Sequence, residues 1–375
     1  MAEATLLALA NLDFEYELAA PAEGEPATLP HQFSKRWRWI LRLLPRARQA
    51  ECLDPTFSDL SAPTAQRSVQ ELVVWGVTPR TTRLAESLGL AQNFPVVDLV
   101  RQVNDKRFSH TLEQQLSIAL PHSQIIESLE QFRSAVETCP HNWVLKHPLG
   151  FSARERVVGK GHRISDSAWG WARRKLGQHW TLLFEPWVDQ RQDFSLHFQI
   201  DRSGAIRFIG QSQLVSDPGG VYRGNSFDPS LAPEPSALEC GHRVARQLAR
   251  LGYWGPVGID AFFGMLGDRP VSRPLVEINA RCSFGRLALA LRDWIPQDWC
   301  HLWWHPGPAH PQIPPPPPLP DTPTKPGLYS LPLAVDPPQT SGTLLFVAPT
   351  RRRLCQMKAS LDETGQENTR QVKAD

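Results

Sequence analysis

Two apolar runs joined by a short polar turn constrain this chain most: Val257-Gly-Ile-Asp-Ala-Phe-Phe and Pro274-Leu-Val-Glu-Ile-Asn-Ala-Arg. Each reads as a strand, with Asp268-Arg-Pro as the turn between them. Side chains alternate between the faces of a strand, so Glu277, Asn279 and Arg281 share one face of the second run. Asp260 comes from the first. Two carboxylates and a carboxamide in one place suit Mg²⁺, which takes oxygen ligands and binds through a few carboxylates plus phosphate oxygens. The planar fork of Arg281 suits the same phosphates. The pair predicts a face that holds a metal–nucleotide.

The rest of the chain supplies room for such a face. Its 375 residues, 41% hydrophobic and 21% charged, are enough for two or three lobes with sizeable cores. A net charge of +2 does not point to a nucleic-acid partner. No apolar run approaches the roughly 20 residues that span a bilayer. The run Leu6 to Ala10 is short and has no basic residue before it, so no secretory signal or membrane association is expected. Six scattered cysteines without a Cys-x-x-Cys fit reduced thiols and a cytoplasmic location.

Along the chain, residues 5 to 18 read as one or two strands, with Phe14, Tyr16 and Leu18 alternating. Leu72 to Trp75, Gly76 and the amphipathic Thr81 to Leu88 form a strand–turn–helix, a Rossmann-like unit of an open α/β sheet. Phe94 to Val97 reads as a further strand. Asn104 is expected to cap a helix from Lys106 to Ala119, and Ser123 another to about Glu137. Trp143 to Lys146 and Trp180 to Pro186 read as strands, and Gly150 to Gly161 as a polar loop. Asp193 to Ile200 and Ile206 to Gln213 form a hairpin, and Pro235 to Leu251 a long helix. The prolines 314 to 318 suggest an extended spacer. Leu328 to Val347 reads as a hairpin and residues 357 to 375 as disordered.

Several segments carry candidate chemistry. Lys146 ends a strand and enters Pro148-Leu-Gly-Phe-Ser-Ala-Arg-Glu-Arg, which offers a cation beside the backbone N–H groups of Gly150 and Ser152, as phosphate loops do. It is not a Walker A sequence, and it also reads as a surface hairpin with solvated charges. Lys106 opens a helix, where the dipole favours anions, although a first-turn surface lysine looks the same. Glu185, in Phe-Glu-Pro-Trp-Val-Asp, can accept from a nucleotide amine or ribose, and the backbone at Trp187 and Val188 can read an adenine edge. Cys300-His-Leu-Trp-Trp-His305, with His310 beyond, fits no standard zinc spacing and reads as aromatic packing. Cys282 reads as a packing residue, and Arg351-Arg-Arg as a solvated face.

In chain order these pieces are Lys106, Lys146 with its glycine loop, Glu185-x-x-Val188, then Asp260 followed by Glu277-x-Asn-x-Arg281. That order resembles the ATP-grasp superfamily over about Leu72 to Arg292. The resemblance implies an α/β (α+β) fold with a Rossmann-like pre-grasp domain over 1–105 and linker helices with a small lid lobe over 106–190. A larger metal-bearing lobe would follow over 191–312, and a Pro-rich, partly disordered tail over 313–375. It implies that Lys106 and Lys146 contact ATP phosphates and that Gly150 to Arg156, with Ser152, closes over them as a flap. Glu185, Trp187 and Val188 would lie at the adenine hinge, with Asp193 as a ribose partner. Asp260, Glu277 and Asn279 would hold one or two Mg²⁺ ions, and Arg281 would stabilise the transferred phosphoryl group. The implied activity is ATP-dependent ligation of a small-molecule carboxylate to an amine through an acyl phosphate, releasing ADP and phosphate. A peptide or protein substrate, or a non-catalytic nucleotide-binding module used for assembly, are the alternatives. A substrate carboxylate needs a further cation, for which Arg223 and Arg286 are candidates. Arg154, Glu155 and Arg156 depart from an ordinary glycine loop, and the segment before Leu72 and the tail match nothing in the family. The oligomeric state stays open, with a homodimer one candidate.

Overall fold

Strand Thr5–Leu9 lies between Glu51–Cys52 and Val69–Val74 in a parallel three-stranded sheet. The computed structural model describes residues 5–20, 37–54, 69–150, 155–217, 221–305, 316–320, 323–331 and 343–372, with side chains as far as Leu361. From Val74 the chain turns through Trp75 and Gly76 into helix Pro79–Ser87. Thr78 caps that helix: its hydroxyl accepts from Thr81 N–H at 3.2 Å, and its own N–H donates to Thr81 Oγ1 at 2.8 Å. The expected strand–turn–helix unit is present.

Two neighbouring expectations need correction. Phe14–Ala19 is a helix, not a second strand. Phe14 and Leu18, both buried, stand four apart as well as on alternate positions, and six residues are too few to separate the two periods. Phe94 to Val97 forms no strand either. A 3₁₀ turn at Ala91–Asn93 ends on extended Phe94, and helix Val97–Asn104 follows after Pro95.

Helix Lys106–Gln115 is capped by Asp105 instead of Asn104, with Asp105 Oδ1 accepting from Arg107 N–H at 2.8 Å. Asn104 does other work. Its Oδ1 accepts from Ala280 N–H at 3.0 Å, and Ser109 Oγ accepts from Ile278 N–H at 3.3 Å. These bonds cover the outer edge of strand Arg269–Asn279, which would otherwise leave buried donors unpaired.

The middle of the chain forms a four-stranded antiparallel sheet in the order Gln124–Ile126, Leu182–Pro186, Trp143–Lys146, Arg156–Gly159. Helices Leu129–Thr138 and Asp166–Gly177 share its core of Phe132, Trp143, Ala172 and Phe184. Ser128, not Ser123, caps the first helix, because residues 124–126 are already a strand. The expected Gly150 to Gly161 loop is shorter than read, since Arg156–Gly159 pairs with Trp143–Lys146 as a hairpin.

The largest sheet has eight antiparallel strands, ordered Arg269–Asn279, Gly255–Leu266, Asp189–Ile200, Ile206–Ser216, Tyr222–Phe227, Cys300–Trp304, Leu344–Ala348, Gly327–Tyr329. Gly267, with φ of 59°, and Asp268 make the turn of the first pair, so Arg269 and Pro270 already belong to the strand. Helix Pro235–Arg250 buries Ala237, Val244, Ala245 and Leu248 at helical spacing. The two final strands correct the reading of the tail as linker. Leu344 to Ala348 is fully apolar and pairs along Cys300–Trp304, covering its tryptophan row. The last helix, Arg351–Val372, extends through the stretch read as disordered. Its three leading arginines are exposed.

Candidate functional site

The first two strands of the large sheet place Asp260 directly opposite Glu277 and Gly258 opposite Asn279. A register shift between Asp260 and Phe262 follows immediately, so the ladder is regular up to the carboxylates and irregular beyond them. Asp260 Oδ2 accepts from Asn279 Nδ2 at 3.0 Å, and Oδ1 accepts from the Ser195 hydroxyl. Burial and the nearby charge of Glu277 push the Asp260 carboxyl up to about 6. Glu277 Oε1 lies 3.0 Å from Lys106 Nζ, which also donates to the Gly150 carbonyl. Arg281 donates to Asn279 Oδ1 at 2.9 Å and pairs with Glu15 Oε1 at 2.6 Å. Asp260, Glu277, Asn279, Arg281 and Lys106 are therefore one connected group.

This donor set fits a hard divalent cation. Lys106 balances only Glu277 of the two facing carboxylates, and Asp260, buried beside that charge, has its carboxyl raised. Among the described residues no group of three or more His, Cys, Asp or Glu side chains could hold a metal by itself. Two carboxylates and a carboxamide leave coordination positions for phosphate oxygens and water, which is how Mg²⁺ is commonly held.

A second charged group lies under the adjoining sheet. Lys146 pairs with Glu185 Oε2, and Arg273 reaches Glu185 Oε1 and, bidentately at 2.7 and 2.8 Å, Glu113. Arg273, Glu113 and Glu185 are almost wholly buried. Burial alone would raise the Glu185 carboxyl, but Arg273 and Lys146 together hold it well below the usual carboxylate range. Sequence reading missed Arg273, Glu113, Ser195 and Glu15. Helical spacing contains the signal for Glu113, since Lys106, Ser109, His110 and Glu113 fall on one buried face of their helix. Strand parity contains the one for Arg273, which alternates in step with Glu277.

The remaining predicted residues are placed as follows. Trp187 is exposed beneath the Arg156 guanidinium at 5.5 Å, and its N–H donates to Asn142 O at 2.6 Å. Val188 is buried with Leu120, Phe262 and Leu266. Asp193 lies opposite Phe262. Burial pushes its carboxyl up to about 6, and its Oδ1 has no hydrogen-bond partner among the described residues. Ser152 lies outside the described residues. Arg223 sits on strand Tyr222–Phe227 and is held by Asp217 at 2.8 and 3.0 Å. Arg286 donates to Phe198 O at 3.1 Å and Gln199 Oε1 at 2.8 Å. Both arginines thus have partners within the protein, Arg223 on Asp217 and Arg286 on Phe198 and Gln199. Cys282 is buried and the six cysteines are free thiols. His301 donates to Ala288 O at 2.8 Å and His305 packs among Trp37, Phe284 and Trp303, so this cluster is packing; His310 lies outside the described residues.

The chain is 26% identical over 212 residues to the [butirosin acyl-carrier protein]–L-glutamate ligase of Niallia circulans, a match covering 52% of this chain and 48% of the relative. The chain thus spans about half the length of that curated relative. No family model matches. Among solved structures, biotin carboxylase from Campylobacter jejuni superposes with a TM-score of 0.56 at 14% identity, covering 78% of this chain and 74% of that one. An N5-carboxyaminoimidazole ribonucleotide synthetase in complex with ADP gives 0.56 at 12% identity over 98% of both chains. The Thermus thermophilus enzyme of the same name gives 0.51 at 14%, covering 96% and 98%. Near full-length superposition on such proteins, with the strand pair and lysines in the order described, shows that this chain has the ATP-grasp fold.

Proposed function

We propose that the protein is an ATP-dependent ligase that joins a carboxylate to an amine through an acyl phosphate. The observation that carries this reading is the connected group of Asp260, Glu277, Asn279, Arg281 and Lys106. Asp260, Glu277 and Asn279 would hold Mg²⁺, which supplies charge neutralisation on the phosphates of ATP. Lys106 and Lys146 would bind phosphate oxygens, each leaving a carboxylate partner to do so. Glu185, saturated by Arg273 and Lys146, positions Lys146 at the end of its strand. Asp193, with a free buried oxygen, is suited to a ribose hydroxyl. The hinge backbone at Val188 would meet the base.

In the first step a carboxylate oxygen of the acid attacks the γ-phosphorus, the bond to the β–γ bridging oxygen breaks, and ADP leaves. Arg281 stabilises charge on the transferred group and the acyl phosphate. In the second step an amine attacks the carbonyl carbon, the C–O bond to phosphate breaks, and nitrogen loses a proton. Acyl phosphates hydrolyse readily, so the site must exclude water. The candidate flap is the segment from Gly150 to Arg156, of which residues 151–154 lie outside the described residues. Glutamate and a carrier protein are substrates named for the curated relative, and they are the first to test here. No helix among the described residues is long and apolar enough to cross a membrane.

The test is ADP release from Mg-ATP with pooled acids and amines. Wild type should release ADP only when a pool supplies both substrates, and Glu277→Ala should lose at least about a hundredfold in rate, as expected when a main charge-stabilising group is removed. Undiminished release by Glu277→Ala would remove the metal face from the mechanism.

A further inference from the structure

We propose that a cavity of about 390 Å³ behind Arg281 binds the acid substrate as an extended, amide-bearing chain: an N-acylated amino acid or short peptide with a free carboxylate. This rests on the ligase reading and names its substrate class. Val69–Val74 is the edge strand of the parallel sheet and forms one wall. Trp75 N–H donates to Leu9 O at 3.0 Å just past the strand's end, so alternation turns the main-chain groups of Glu71 and Val73 toward strand Thr5–Leu9. Those of Leu72 and Val74 face the other way, into the cavity. Such a row of donors and acceptors recognises another extended chain of amides, whatever its side chains.

Charge and shape narrow the occupant. Arg46, Arg202 and Arg281 line the cavity against Glu71, with Glu15 paired to Arg281, so three cations face two acids and an anion is favoured. Arg202 is held over the Trp254 ring at 4.7 Å and near Asn93 Oδ1 at 3.4 Å, while Arg46 and Glu71 meet loosely at 3.7 Å. Arg281 is the one that also touches the metal face, through Asn279 at 2.9 Å. Its Nε is buried without a hydrogen-bond partner among the described residues. The substrate carboxylate therefore belongs at the Arg281 end, and the amides run along Leu72 and Val74 between that strand and Phe94 and Trp254. The volume suits a small molecule.

Calorimetric titration of the full chain, with and without Mg-ADP, tests this using N-acetylglycylglycine against octanoate, which has the same chain length and charge but no amide. The N-acyl peptide should bind at least about tenfold more tightly. N-methylation of both its amides should erase that difference, and Trp254→Ala should weaken it severalfold. Equal binding of the two acids, no binding of either, or an affinity unchanged in both Trp254→Ala and Phe94→Ala would overturn the proposal. Preferential peptide binding without ADP release in any pool would instead sink the ligase reading and leave the cavity assignment standing. ADP release driven by acids that lack amides would do the reverse.

Discussion

Asp260 shows how much a single carboxylate reports about the site. It lies opposite Glu277, with Ser195 and Asn279 donating to it, and its carboxyl is pushed up to about 6. A carboxyl raised in the folded state binds its proton more tightly there than in the unfolded chain. Folded stability therefore falls as pH rises from the ordinary aspartate value near 4 through about 6, and the deficit persists above that. Asp260→Asn removes the repulsion while keeping the shape. In the metal-free protein it is expected to raise Tm at pH 7.5 by several degrees and to flatten the dependence of Tm on pH between 4 and 6.5. Thermal melts across that range check this, and an unchanged profile would show that Asp260 carries no strain. The grouping of Asp260, Glu277 and Asn279 was legible in the sequence because strand alternation and residue type suffice to bring them together. Ser195 was not, since nothing local marks which hydroxyl on a third strand faces the pair.

At the scale of elements, the strand Arg269–Asn279 is held on both sides. One side pairs with Gly255–Leu266, and the other receives Asn104 and Ser109 from the two helices that precede the four-stranded sheet. Arg273 anchors its middle by bridging Glu113 on the second helix and Glu185 in the four-stranded sheet. Three elements from different parts of the chain thus meet at one buried guanidinium. Arg273→Met leaves two buried carboxylates without their main partner and is expected to cost about 3–5 kcal/mol. Denaturant unfolding measures it, and a loss below about 1 kcal/mol would mean that water or Lys146 compensates. This network escaped sequence reading because its members are distant in sequence and only tertiary packing brings them together. The misread elements have a local cause: Phe14 to Leu18 and Phe94 to Val97 are too short for periodicity to separate strand from helix. The long helix Pro235–Arg250 and the strand pair around Asp260 were legible because their patterns persist over more than two turns or alternations.

At the scale of the molecule, three sheets contribute separate parts to the proposed site. The parallel sheet brings Glu15 to Arg281 through its following helix, and Trp75 O accepts from Cys282 N–H at 2.8 Å directly beside it. The four-stranded sheet brings Lys146 and Glu185, and the eight-stranded sheet brings the carboxylates and Asp193. Lys146 and Glu185 pair within their own sheet, whereas Arg281 and Glu15, and Arg273 with Glu113 and Glu185, meet only across elements. The order of motifs along the chain made the architecture legible. The additional strands at 327–329 and 344–348 were legible as a hairpin but not as part of the main sheet, because strand order is a tertiary property.

Activation of an acid as an acyl phosphate on the Asp260–Glu277 face is the step on which the proposed function turns. It is tested most directly by trapping that intermediate with hydroxylamine, which replaces the amine and needs no knowledge of it. Wild type with Mg-ATP and pooled carboxylates is expected to form hydroxamate in step with ADP, and Glu277→Ala to form neither. ADP without hydroxamate in every pool, or hydroxamate formation that survives Glu277→Ala, would contradict the account.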